Sequence, residues 1–264
     1  LEFRRVLFRS TPFTVVVMLD TSASMTANLD LLNRATEQFL IRMLPADKGQ
    51  VGAFNDKIQF SGRFTNDRDD LIGALRDLQF GNPTRLYDAI WESMAVLEGT
   101  PGRKVVLVFT DGDDTSSKRS LGDVLKRATA DEVMVYAIGL EAEFFNGRQR
   151  VRTQPDRGLK KLADETGGRV EAPLENTYDN TQGFLSRPAN DNREFANGTG
   201  GFQAKILGSM FKSITAIAGE ITTQYILRYQ PNTPGDESPM HRIEVKVNLP
   251  NVKVRARSSY FPPQ

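Results

Sequence analysis

Apolar and polar positions follow two rhythms along the chain. Val15–Leu19, Val105–Phe109 and Val133–Ile138 are apolar without a break and rich in β-branched residues. Short runs of that kind predict strands buried on both faces of a sheet. Between them the apolar positions recur every three or four residues. Leu29, Leu32, Ala35, Phe39, Leu40 and Met43 predict a helix over 29–44, ending before Pro45. The same spacing predicts helices from Asp67 or Asp69 to Leu78, from Leu86 to Leu97, from a Ser120 cap to Asp131, from an Asp156 cap to Thr166, and from Phe202 to Thr223. Gly167-Gly168 stops the fifth of these. Gln50–Phe54 and Lys57–Gly62 predict a hairpin across Asn55-Asp56, and Arg169–Ala172 a short strand. Strands alternating with helices imply βαβ units: an α/β fold, doubly wound around a mainly parallel sheet.

The rhythm breaks in four places. Residues 141–155 are a polar insertion in the body. Residues 186–201, rich in Asn and Gly, predict a flexible insertion, with a specificity loop as the alternative. From 224 onward, Gln224–Tyr229, Arg242–Leu249 and Lys253–Ser258 predict strands with no helix between them. Residues 224–264 therefore read as a C-terminal antiparallel β-meander appended to the 11–223 body. Residues 1–10, Leu-Glu-Phe-Arg-Arg-Val-Leu-Phe-Arg-Ser, read as one frame of a translated sequencing adapter and are set aside as an artefact. The expected corollary is that the natural N-terminus lies upstream.

Composition narrows the chemistry. The chain of 264 residues has a net charge of +1; without the first ten residues, 31 basic face 32 acidic side chains. Neither balance suggests nucleic-acid binding. No apolar run approaches the roughly 18 residues that cross a membrane. With no cysteine there is no disulfide, thiolate metal site or cysteine nucleophile, and one histidine, His241, leaves little room for imidazole chemistry. There is no Gly-x-Ser-x-Gly elbow and no Gly-x-x-x-x-Gly-Lys loop. His241 is expected to face solvent and Trp91 to sit in the core.

What remains is a set of oxygen donors. The first strand runs into Asp20-x-Ser22-x-Ser24, Thr84 opens a helix after a Gly/Pro loop, and Asp111 ends the second buried strand. In a doubly wound sheet those strands lie side by side, and ligands bind beyond their carboxyl ends where the strand order reverses. Oxygen-only donors suit a hard cation: Mg²⁺, or Mn²⁺ or Ca²⁺.

The pattern Asp-x-Ser-x-Ser, then a distant Thr, then a distant Asp resembles the metal-ion-dependent adhesion site of the von Willebrand factor type A family. Here it falls on Asp20, Ser22, Ser24, Thr84 and Asp111. The resemblance covers roughly 11–223 and implies a Rossmann-like fold. The tail, Gln224–Tyr229 and Val254–Tyr260, resembles a subgroup of that family described from acidobacteria, which implies an exported bacterial protein. Asn82-Pro83-Thr84-Arg85 departs from the family's usual Gly-Gly-Thr. Pro83 stiffens the loop, and Arg85 is either a contact for a ligand carboxylate or solvent-facing. Asp88 reads as an acceptor behind Thr84 or a surface charge. Asp113 and Asp114 either extend the site or form a hydrogen-bonded turn.

The resemblance implies a non-enzymatic module that captures an Asp or Glu of a protein partner through the metal. Two alternatives stay open: a Mg²⁺-dependent hydrolase using the same donors, and an assembly protein acting through its C-terminal extension.

Overall fold

Strand β1 (Phe13–Asp20) is buried along its whole length, and its alternating side chains feed two cores. Val15, Val17 and Leu19 belong to one, with Leu32, Phe39, Met210, Ile214 and Ile221. Val16 and Met18 belong to the other, with Leu86, Ile90, Met94, Leu97 and Leu159. The period of two along a strand is what splits one apolar run between two faces. Each fully buried Leu or Ile contributes about 1.5–3 kcal/mol relative to exposure. The computed structural model describes residues 11–22, 25, 29–77, 81, 83–111, 113–139, 143–145, 150–152, 156–172, 192–225 and 240–261.

Helix α1 (Leu29–Leu40) follows β1, then β2 (Lys48–Phe54) and β3 (Ile58–Phe60), α2 (Arg68–Ala74), α3 (Leu86–Leu97), β4 (Arg103–Thr110), α4 (Leu121–Ala130) and β5 (Val133–Gly139). A hairpin of β6 (Glu143–Phe145) and β7 (Arg150–Arg152) interrupts the chain before α5 (Arg157–Thr166), β8 (Val170–Glu171) and α6 (Asn192–Thr222). The main sheet has the order β3-β2-β1-β4-β5-β8. All its pairings are parallel except that of β2 with edge strand β3. The core residues of α1 and α6 lie on one face, those of α3, α4 and α5 on the other. The order reverses between β1 and β4, as expected of a doubly wound sheet.

The helices start and stop where local chemistry dictates. Asp67 accepts from the amides of Asp69 and Asp70 at the head of α2. Ser120 and Asp123 form a reciprocal capping box on α4. Asp156 accepts from Leu159 at 2.7 Å on α5. That helix ends at Gly167, whose φ of 85° is left-handed. The chain then passes so close to β5 that a Cβ on Gly168 would sit 2.0 Å from the Val135 carbonyl oxygen.

Four expectations are corrected. Helix α6 begins at Asn192, so 192–201 extends a helix rather than a flexible insertion; 186–191 lie outside the described residues. Adding residues to an existing helix costs little compared with nucleating one, and the mostly polar and glycine residues 192–201 follow the amphipathic segment's lead. The C-terminal meander is reduced to two two-residue strands, β9 (His241–Arg242) and β10 (Ser259–Tyr260), paired antiparallel. Residues 243–248 and 252–257 form no further ladder, and 226–239 lie outside the described residues. Trp91 is only half-buried, held between the guanidinium groups of Arg119 and Arg127 at 4.2 and 4.5 Å from the ring centre. His241 is half-buried and stacks on Tyr260, ring centres 5.2 Å apart, so that it faces solvent only in part.

Candidate metal centre

The register of the parallel pair β1 and β4 aligns Leu19 with Phe109. Asp20 therefore ends β1 beside Thr110, and Asp111 follows one residue later on the neighbouring strand. Asp20, Ser22 and Asp111 are all buried. The Ser22 amide donates to Asp20 Oδ1 at 2.9 Å. The Thr110 hydroxyl donates to Asp20 Oδ2 at 2.7 Å. Burial pushes the Asp20 carboxyl above its ordinary range, while hydrogen bonds from Ser22 and Thr110 pull it back. Ser24 lies outside the described residues.

Thr84 is brought to the same edge by two loops. Gly81 donates its amide to the Thr21 carbonyl at 3.2 Å, tying the Thr84 loop to the one after β1. The Thr84 carbonyl accepts from the amides of Thr115 and Ser116, at 3.1 and 3.2 Å. The Thr84 amide donates to the Thr115 hydroxyl at 3.1 Å. Thr84 is buried as well, and among the described residues its hydroxyl has no hydrogen-bond partner.

The four flanking candidates take definite places. Asp114 accepts from the Tyr87 amide at 3.3 Å and from the Ser117 hydroxyl, so it caps the head of α3 from another loop. That is the hydrogen-bonded turn of the two readings. Asp113 is exposed. Arg85 directs Nε and Nη2 at Asp88 Oδ2, at 3.0 and 2.6 Å, and Nη1 at the Asp56 carbonyl. Asp88 is buried and also accepts from the amides of Lys118 and Arg119. Burial works against its charged form, but those amides and the Arg85 guanidinium outweigh it and hold the carboxyl below its ordinary range.

The donor set fits a hard divalent cation. It offers carboxylates and hydroxyls only, two of each among the described residues. Asp20 carries a buried carboxylate with no Lys or Arg beside it among the described residues, and a cation offsets that burial. The set is not of the acid-rich kind: among the described residues no three Asp, Glu, His or Cys side chains gather as they would around Ca²⁺.

Thr110, Thr115 and Ser117 are the contributors that the sequence did not single out. Thr110 precedes the Asp111 motif in a strand, and only its register beside Asp20 gives it a role. Thr115 and Ser117 lie in a Ser/Thr-rich loop that looks the same with or without a helix to cap.

The strand order defines a Rossmann-like α/β domain, with the oxygen donors gathered at the edge where that order reverses. Residues 15–113 match the family profile described as von Willebrand factor type A domain. That segment, from β1 to the loop after β4, is similar to a von Willebrand factor type A domain, a family that commonly mediates protein–protein interaction. No curated protein matches the sequence. Among solved structures, the fold is similar to an aerotolerance-related membrane protein from Bacteroides fragilis, at 17% identity and a TM-score of 0.53, over 79% of this chain and 99% of that one. It is also similar to a von Willebrand factor type A protein from Catenulispora acidiphila, at 17% identity and a TM-score of 0.52, over 76% of this chain and 43% of that one. Among the described residues no helix is long and apolar enough to cross a membrane.

Proposed function

We propose that this domain is a cation-dependent protein-binding module. Asp20, Ser22, Ser24, Thr84 and Asp111 would hold Mg²⁺ or Mn²⁺, with Ca²⁺ a poorer fit, and the module captures an Asp or Glu of a protein partner. The observation that carries the reading is the placement of Asp20 and Asp111, both buried, at adjacent strand ends, with buried Thr84 in the loop tied to the same edge. A divalent ion there supplies positive charge in a low-dielectric setting, where an incoming carboxylate is attracted more strongly than in water. The protein's share is to keep few carboxylates near the ion, so that the net charge still favours an acidic ligand. Titration calorimetry with MgCl₂ tests the reading. Saturable binding by the wild type, lost in Asp20→Ala, supports it; no saturable binding by the wild type sinks it.

A second reading rests on the tail. Val247, Leu249 and Val252 are exposed at 44%, 64% and 50%, a concentration of apolar surface that suits an assembly contact. Under that reading, deleting 240–264 abolishes partner binding while Asp20→Ala leaves it intact.

A further inference from the structure

We propose that Asp88 is a positioning residue of the metal centre, acting through Thr84; the proposal rests on the cation-binding reading above. Asp88 sits one turn into α3, four residues after Thr84, and is itself buried. An aspartate there would ordinarily serve the free amides of its own helix. Here its carboxylate serves another segment. It accepts from the Lys118 amide at 3.0–3.1 Å and from the Arg119 amide at 3.0 Å.

The exchange is reciprocal. The amides at the head of α3 go to side chains of that same segment: Tyr87 to Asp114 Oδ1 and Asp88 to the Ser117 hydroxyl. Thr84 completes the join by accepting from the amides of Thr115 and Ser116. The segment 114–119 is thus clamped to α3 at both ends, and it begins three residues after Asp111. The clamp sets the Thr84 hydroxyl and the Asp111 carboxylate in one frame. The loop after β1 meets that frame through the bonds from Gly81 to Thr21 and from Thr110 to Asp20.

Asp88 does this without joining the donor set. Arg85 neutralises it with two guanidinium contacts, and the amides fill its remaining lone pairs. A third free acid beside the ion would lower the attraction for a partner's carboxylate. Paired as it is, Asp88 adds geometry and withholds charge. Asp88→Asn breaks the arrangement because its amide nitrogen must face one of the backbone donors of Lys118 and Arg119, and the Arg85 pair loses its charge.

The test is calorimetric titration of MgCl₂ into wild type, Asp88→Asn, Asp114→Asn and Ser120→Ala, with thermal unfolding of each in EDTA. Side chains that orient metal ligands from behind typically change affinity ten- to a hundredfold. The expected result is a dissociation constant raised about tenfold or more in Asp88→Asn, with stoichiometry unchanged well below the melting temperature. Asp114→Asn, which cuts the clamp at its other end, shows the same sign and carries the test if Asp88→Asn does not fold. Ser120→Ala, which loosens α4 without touching the clamp, lowers the melting temperature and leaves the dissociation constant as in wild type. Saturable wild-type binding with unaltered affinity in the folded clamp variants overturns the positioning role alone. No saturable binding by the wild type overturns the cation-binding reading and the clamp with it.

Discussion

The segment between β4 and α4 and the segment after Met240 are both irregular chain, yet they are held in opposite ways. In the first, Thr115, Ser117, Lys118 and Arg119 each meet a group on α3 or its leading residues, and Trp91 lies under the Arg119 guanidinium. The second rests on a two-residue ladder, the bond from Ile243 to Ser258, bonds from the Ser258 amide and hydroxyl to Glu165 and from Arg257 to the Glu132 carbonyl, and ion pairs of Arg255 with Glu220 and Arg257 with Glu132. Ion pairs at such half-open positions contribute about 0–1 kcal/mol each. Irregular chain becomes as fixed as a strand when its polar groups answer the free groups of a helix end. The tail is held instead by one short ladder and by side chains that meet the surfaces of α5 and α6.

Substitutions can break that contrast in order of size. Leu107→Ala, at a fully buried position of β4 on the face packed by α1 and α6, should lower stability by about 2–5 kcal/mol in urea unfolding. Arg103→Ala should cost about 1–3 kcal/mol by the same measure, because it strips bonds from the Thr11 and Ile221 carbonyls. Ser120→Ala should cost about 1 kcal/mol by removing the capping box of α4. Acid should act on the clamp with a defined sign. The folded-state pKa of Asp88 is lowered, so its contribution is present above the ordinary aspartate range, near pH 4, and is lost as pH falls through and below it. Stability of the wild type against unfolding in EDTA should therefore fall as pH drops from about 5 to 3, and Asp88→Asn should show a shallower slope there. Leu249→Ser, at the exposed end of the tail, should change stability by no more than about 0.5 kcal/mol. A large loss there would show that the tail is packed more firmly than its exposure indicates.

Local signals carried the body of the fold into view. Leu86, Ile90, Met94 and Leu97 define α3, and all four are fully buried. Asp156 and Gly167 bracket α5 because both act within one helical turn. The start of α6 is hidden because Asn192–Gly201 has neither apolar period nor helix-favouring composition. The tail misleads for a different reason. Alternation such as Ile243, Val245 and Val247 describes a chain able to pair, and pairing needs a partner strand beside it. At the candidate site the same division holds. Asp20, Thr84 and Asp111 stand at the ends of their elements, and ends of elements are visible in a sequence. Their supports are not, since a bond such as Lys118 to Asp88 exists only once α3 and the following loop have been folded against each other.

Arg103 reaches the Thr11 carbonyl with Nε and Nη2 and the Ile221 carbonyl with Nη1. One side chain thus joins the segment leading into β1 to the last turn of α6, on the edge of the sheet opposite Asp20 and Asp111. Tension drawn between those two segments would load that guanidinium, as it would a buckle, at the end of the sheet away from Asp20 and Asp111.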